Sequence, residues 1–396
     1  REEGFCVILG SVDDPGTYES VNLKSARLLI ANAEDAVNTN ILLTVRSLHA
    51  TLPIIALAED DDSMDIFSLS GATFPLPLKT RLGEHLANRV SSGIGKAQEV
   101  GRFKDLVIVE FLVHDTPLQG SLLQEARLRE RTGVNVIGVW ESGRFRAVDP
   151  TRRLEKNCVP VAVGREEQIE KLNALLGDDT SQRHEVLVVG GGKVGRSTAE
   201  TLMKRGVRVR ILDRNPALRE ELEPYCDEVF IGNAADRKTL EKAGIDTVGG
   251  VALTTNDDAQ NIHLAVYFRR LKPELGIVSR ITRERNIDAI YRAGADFVLS
   301  YASLGCEFIT AYIAGREPVM LGEGVEVFPV PVPGNLAGKT LAESGIGAQT
   351  GMVVLAVETE EKTITNPPAG QILEPEAKLL LLGTTEQRES FCSAFA

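Results

Sequence analysis

One apolar run in this chain ends in Gly190-x-Gly192-x-x-Gly195, and the next ends in Asp213. Few folds use that pattern. Val186–Gly190 reads as a strand and Arg196–Arg205 as part of the helix after it. Gly190 lets the chain turn tightly off the strand. Gly192 leaves room for backbone to approach a pyrophosphate, and Gly195 lets the helix pack close to the strand. The phosphates then face the free N–H groups of the helix start, around Lys193 and Val194. Asp213 lies 23 residues after Gly190, the spacing at which a carboxylate accepts ribose hydroxyls. The stretch is therefore expected to hold a nucleotide. The alternative is an empty turn that only shapes the fold. A P-loop is rejected, because Arg196 stands where that motif needs Lys.

With 396 residues the chain has room for two to four domains. No apolar run approaches the length that spans a bilayer. The chain starts at Arg1 rather than Met, so it reads as a fragment or a cleaved product. A net charge of −12 argues against nucleic-acid binding. Cys6, Cys158, Cys226, Cys306 and Cys392 are scattered and lack CxxC spacing. They read as reduced thiols of a cytosolic protein, with no zinc site. His49, His85, His114, His184 and His263 show no ligand spacing either.

The chain also repeats itself. Residues 7–10 and 229–232 read Val-Ile-Leu-Gly and Val-Phe-Ile-Gly, and Asp14 and Thr17 match Asp236 and Thr239. After a one-residue slip, Asn38 matches Asn261, Ile54 matches Ile277, and Ser70–Phe74 falls on Ala293–Phe297. Thr132–Ile137 later matches Thr350–Leu355. The glycine turn and Asp213 have no counterpart, so the first copy begins inside the unit. Short apolar runs alternate with amphipathic stretches over Glu185–Ile313, which reads as βαβ units and a parallel sheet. From Pro318–Pro333 the texture changes to a small α+β module. The expected fold class is α/β: two tandem copies of a Rossmann-like parallel-sheet lobe, each followed by a small α+β lobe, the first Rossmann lobe truncated at its N-terminus. The expected boundaries are 1–100 and 101–180 for copy one, and 181–316 and 317–396 for copy two. Thr180–His184 reads as the polar linker.

At this point the chain resembles tandem regulator-of-potassium-conductance (RCK) domains. The residues that carry the resemblance are the glycine turn, Asp213, Gly232-Asn233, Thr254-Thr255-Asn256-Asp257, Arg280, and Tyr291–Leu299 with its twin Leu69–Leu76. It departs from the family at Asn233, where Asp is common, and at Lys193, where Arg is frequent. Both leave the nucleotide's identity open.

The resemblance implies a cytosolic gating module of a ligand-gated potassium channel, at the cytoplasmic face of the membrane. Its partners would be pore helices and further copies of itself, as a dimer, tetramer or larger ring. The peripheral subunit of a Trk-type uptake system is the alternative. Gly190, Gly192, Lys193, Val194 and Gly195 would hold the phosphates, and Gly232, Asn233 and Ala234 would line an adenine pocket. Thr254, Thr255, Asn256 and Arg280 would sit at the carboxyl ends of later strands, Arg280 reaching a phosphate or making only a surface salt bridge. Asp213 favours NAD, ADP or ATP over NADP, although Arg214 beside it would suit a 2′-phosphate. Glu59, Asp60 and Asp62 read first as a solvated loop, and second as oxygen ligands for calcium. A dehydrogenase is the competing reading. It would need a general acid or base, and His263 is the one histidine within Glu185–Ile313.

Overall fold

The computed structural model describes residues 6–91, 97–111, 113, 116–141, 144–146, 148–155, 158–177, 185–315, 325–359 and 362–395. His114 and the Thr180–His184 linker lie outside them. The chain divides into two compact units, Arg1–Glu84 and His85–Ala396.

In the first unit, strands β1 (Leu29–Ala31), β2 (Ile54–Leu57) and β3 (Phe74–Leu76) form a parallel sheet in that order. The central strand β2 is buried at every position, as expected of a parallel strand covered on both faces. Helices α1 (Asp35–Leu48) and α2 (Ser63–Leu69) connect the strands. Ile41, Leu42, Val45 and Phe67 pack with Ile54 and Ala56 as the core. Residues 7–10 form no strand, and Leu9 is 96% exposed. Their match in copy two is a strand held by one parallel neighbour, and no strand among the described residues of copy one matches that neighbour.

Helix α3 (Leu78–Val90) runs across the boundary into the second unit. There β4 (Gln98–Phe103), β5 (Leu106–Glu110), β6 (Asn135–Glu141), β7 (Arg144–Arg146) and β8 (Val159–Gly164) form an antiparallel sheet, ordered β4-β5-β8-β6-β7. The strands β9 (Glu185–Val189), β10 (Arg208–Asp213), β11 (Glu228–Ile231), β12 (Gly250–Leu253), β13 (Gly276–Ile281) and β14 (Phe297–Ser300) follow. All pair in parallel, in the order β11-β10-β9-β12-β13-β14. The order reverses between β9 and β12, the place where such sheets take ligands. Helices α4 (Lys193–Lys204), α5 (Asp258–Leu271) and α6 (Tyr301–Ala314) belong to this lobe. Last come β15 (Val325–Pro331), β16 (Val353–Glu358), β17 (Thr363–Thr365) and β18 (Lys378–Thr384), antiparallel in the order β15-β18-β16-β17.

The two small sheets share one apolar cluster, in which Ile108, Ile137, Trp140 and Val161 meet Val327, Leu355, Leu380 and Leu382. Fully buried Glu110 accepts a hydrogen bond from the Trp140 indole N–H at 2.9 Å and pairs with Arg89. The Arg89 guanidinium lies 3.8 Å from the ring centre of Phe297 on β14. This ties the first small lobe to the second Rossmann lobe. Among the described residues no helix is long and apolar enough to cross a membrane.

The repeat extends to single hydrogen bonds. Arg46 donates to the carbonyls of Gly71 at 2.7 Å and Leu52 at 2.6 Å. Arg269 donates to Gly294 at 3.0 Å and Leu275 at 2.8 Å. Gly71 and Gly294 have φ of +97° and +109°, a conformation in which a side chain would be strained.

Candidate functional site

The glycine turn leaves β9 at Val189. Gly190 has φ +108° and donates its N–H to the Leu212 carbonyl at 2.9 Å. A Cβ on Gly190 would stand 3.0 Å from Thr254 Oγ1 and 3.1 Å from Thr255 N. Gly195, in the first turn of α4, has no room at all, because a Cβ there would run into the Gly190 carbonyl oxygen. Gly192 is different. It is the N-cap of α4, in extended conformation, and a Cβ there would meet nothing within 4 Å. Two glycines are thus needed for the fold, while the middle one faces open space. No side chain caps α4, so its first N–H groups keep their capacity to donate. Val194 is buried in the core and offers the site only its backbone. Arg196 pairs with Glu221.

Asp213 ends β10. Its Oδ2 accepts the Gly191 N–H at 2.6 Å and its Oδ1 accepts the Asn215 N–H at 2.8 Å. The carboxylate therefore also fixes the glycine turn, a role that its spacing alone does not reveal. Gly232 follows, its N–H bonded to the Asp213 carbonyl at 2.8 Å. Asn233 is exposed, and its Oδ1 accepts the Ala235 N–H at 3.0 Å. Ala234 is buried and Arg214 exposed.

Across the switch point, Thr254 is only 4% exposed, and its hydroxyl lies 2.9 Å from the carbonyl oxygens of both Val189 and Gly190. It straps β12 to the start of the turn and has no surface to offer a ligand. Thr255 donates to Asn261 Oδ1 at 2.6 Å, and Asn256 is exposed. Fully buried Asn261 donates in turn to the Thr255 and Arg280 carbonyls at 3.0 and 3.2 Å. Asp258 accepts from the N–H groups of Thr282 and Arg283 at 2.8 and 3.0 Å. Sequence reasoning missed both structural roles, although the same residues recur at Asn38 and Asp35. Arg280 donates to Thr282 Oγ1 at 3.1 Å, while its buried Nε has no hydrogen-bond partner. Burial pulls this guanidinium below its usual pKa, against the opposing pull of Asp258 and Tyr301. An orphaned, buried cationic donor at a strand's carboxyl end suits an anion.

The loop that carries Glu59, Asp60 and Asp62, read first as solvated and second as a calcium site, follows β2. Glu59 pairs with Lys79 at 2.8 Å, and the neighbouring Asp61 accepts from Thr80 at 2.8 Å. Asp60 and Asp62 are exposed. Among the described residues no group of three or more His, Cys, Asp or Glu is placed to hold a metal ion. Glu59 and Asp61 thus meet different neighbours. His263 is exposed on α5.

Comparison with known proteins agrees with this architecture. The TrkA-N domain model matches residues 1–75 and 186–301, and the TrkA-C domain model matches 325–396. Potassium channel protein 1 of Methanocaldococcus jannaschii is 29% identical over 219 residues, 51% of this chain and 64% of that protein. The chain thus spans just under two-thirds of that relative's length. The structure of the GsuK channel bound to NAD is 35% identical with a TM-score of 0.67, covering 100% of this chain and 72% of that one. The crystal structure of the GsuK RCK domain has a TM-score of 0.68 at 35% identity, over 99% of this chain and 85% of that one. A likeness that runs the length of the chain shows the family: this chain belongs to the RCK domains, with TrkA-N and TrkA-C matches along it.

Proposed function

We propose that this chain is the ligand-sensing part of a potassium channel, and that its ligand is a nucleotide such as NAD, ADP or ATP at the glycine turn of copy two. The observation that carries the reading is the uncapped start of α4 beneath Gly192, with open space above it and Asp213 beside it. The N–H groups of Lys193, Val194 and Gly195 would donate to the phosphates, where the helix dipole also favours negative charge. Each Asp213 oxygen accepts one backbone N–H and keeps a lone pair for a ribose hydroxyl. Arg280 Nε would donate to a further anionic oxygen. Gly232, Asn233 and Ala234 would flank the base, with Thr255 and Asn256 at the rim. Thr254 would act only through the turn it holds. That a structure similar along the whole chain is of a channel bound to NAD supports a dinucleotide.

Gating in this account involves no chemical step and the chain is not an enzyme. A nucleotide that binds two lobe arrangements unequally shifts their populations, and about 1–3 kcal/mol of coupling changes opening roughly 5–150-fold. The pore helices, the ring of copies and the position at the cytoplasmic face of the membrane are parts of the same proposal. The test is current through the full-length channel in excised patches, with nucleotide applied to the cytoplasmic side. A nucleotide-dependent change in open probability that Gly192→Val abolishes supports the reading. An open probability indifferent to every nucleotide overturns it.

A further inference from the structure

One buried cluster lies outside the nucleotide site and draws on four elements. Arg89 stands in the last turn of α3, Glu110 ends β5, Trp140 lies on β6 and Phe297 begins β14. All four side chains are buried. Glu110 pairs with Arg89 and accepts the Trp140 indole N–H at 2.9 Å. The Arg89 guanidinium lies 3.8 Å from the ring centre of Phe297. Trp140 meets the same phenyl edge-on, with ring centres 6.2 Å apart and planes at 89°. The contacts thus form a closed circuit between the small lobe of copy one and the Rossmann lobe of copy two. A buried ion pair adds little net stability, because loss of hydration offsets the attraction. The repeat does not demand this one either, since Arg89 and Glu110 are matched in copy two by Tyr312 and Pro329. What the pair does supply is a preferred seating of the two lobes. Any seating that separates the charges leaves each buried alone, which is strongly unfavourable.

The cluster also reaches the nucleotide site through paired strands. Phe297 is in register with Val278 on β13, two residues before Arg280, and Leu299 is in register with Arg280 itself. An anion held by Arg280 therefore acts on the two strands that carry Phe297. We propose that this cluster is the latch through which the nucleotide acts. Arg89, Glu110 and Phe297 are positioning residues that hold the small lobe of copy one on the Rossmann lobe of copy two, and nucleotide binding changes that hold. The inference rests on the nucleotide reading given above. Charge and hydrogen-bond contacts are strong in a buried, low-dielectric setting. A small strand shift there moves the lobes between discrete seatings rather than by degrees.

Trp140 is the one tryptophan of the chain, so indole emission reports on the latch alone. Excited at the red edge of the indole band, the native chain is expected to show a saturable emission change with NAD or ADP. Its midpoint should match calorimetry, and Gly192→Val should abolish it. The second arm is Arg89→Met with Glu110→Gln, which removes both charges together and keeps an acceptor for the indole N–H. This variant is expected to bind nucleotide within about threefold of the native constant, while the nucleotide effect on open probability of the full-length channel shrinks at least about fivefold. A merely structural role would instead lower the unfolding midpoint and leave the ratio of open probabilities with and without nucleotide unchanged. Emission that stays constant while calorimetry shows binding overturns the latch, and this arm needs no variant of the latch to fold. A doubly substituted channel with the native nucleotide response overturns it too. Absence of NAD and ADP binding by the native chain overturns the nucleotide reading, and the latch with it.

Discussion

Asn38 and Asn261, 223 residues apart in sequence, each donate to two carbonyls at the ends of neighbouring strands. Both are fully buried. Asn38 donates to the carbonyls of Ala33 and Leu57, each at 2.9 Å, as Asn261 does to those of Thr255 and Arg280. Each amide joins the carboxyl ends of two neighbouring strands. Asn38→Leu leaves those carbonyls buried without a donor. The expected loss is about 2–4 kcal/mol from the transition of the first unit, read by urea unfolding.

The glycines separate folding from binding. Gly195→Ala places a methyl against the Gly190 carbonyl, and is expected to lower stability by at least about 2 kcal/mol. Gly192→Val fills open space, and is expected to leave the unfolding midpoint nearly unchanged while removing nucleotide binding. Thermal unfolding of the two variants side by side checks the contrast.

Arg127 has φ +48° between the short helices Leu123–Ala126 and Leu128–Thr132. The matching residue of copy two is Gly345, with φ +66°. The ion pair of Arg127 with Glu130 is exposed and contributes little. Arg127→Gly is expected to stabilise the chain by about 0.5–1 kcal/mol, because relief of the left-handed strain outweighs the freedom gained by the unfolded chain. Denaturant titration reads this directly.

Asp258 gives the site a pH dependence. Burial works to raise its pKa, but hydrogen bonds from the Asn286 amide and from the N–H groups of Thr282 and Arg283 outweigh burial and hold the carboxyl below its usual value. A depressed carboxyl contributes stability above its unfolded pKa and loses it as pH falls through the folded value. Stability is therefore expected to fall below about pH 4, and Asp258→Asn to flatten that part of the curve. Urea midpoints measured across the acid range test it.

The sequence carried what is local. The six parallel strands of copy two, the three of copy one and the glycine turn all show in runs of apolar residues and in the spacing of Gly190, Gly192, Gly195 and Asp213. Contacts that join distant segments left no such trace. Thr254 reads as a site residue by position, yet its hydroxyl is committed to carbonyls more than 60 residues earlier. Strand β4 was not anticipated, because Gln98–Phe103 is polar and its pairing shifts register between Glu99 and Gly101. Residues 7–10 have the composition of a strand, yet among the described residues no strand lies beside them. The Arg89–Glu110–Trp140 cluster draws on three elements, and no single window of sequence contains it.

The most direct test is calorimetric titration of this chain with NAD, NADH, ADP, ATP and NADP, repeated with Gly192→Val and Asp213→Ala. Saturable binding of an unphosphorylated-ribose nucleotide is expected at one site per chain, lost in both variants while Gly192→Val keeps the native unfolding midpoint. Absence of binding by all five ligands, or binding that survives Gly192→Val, would contradict it.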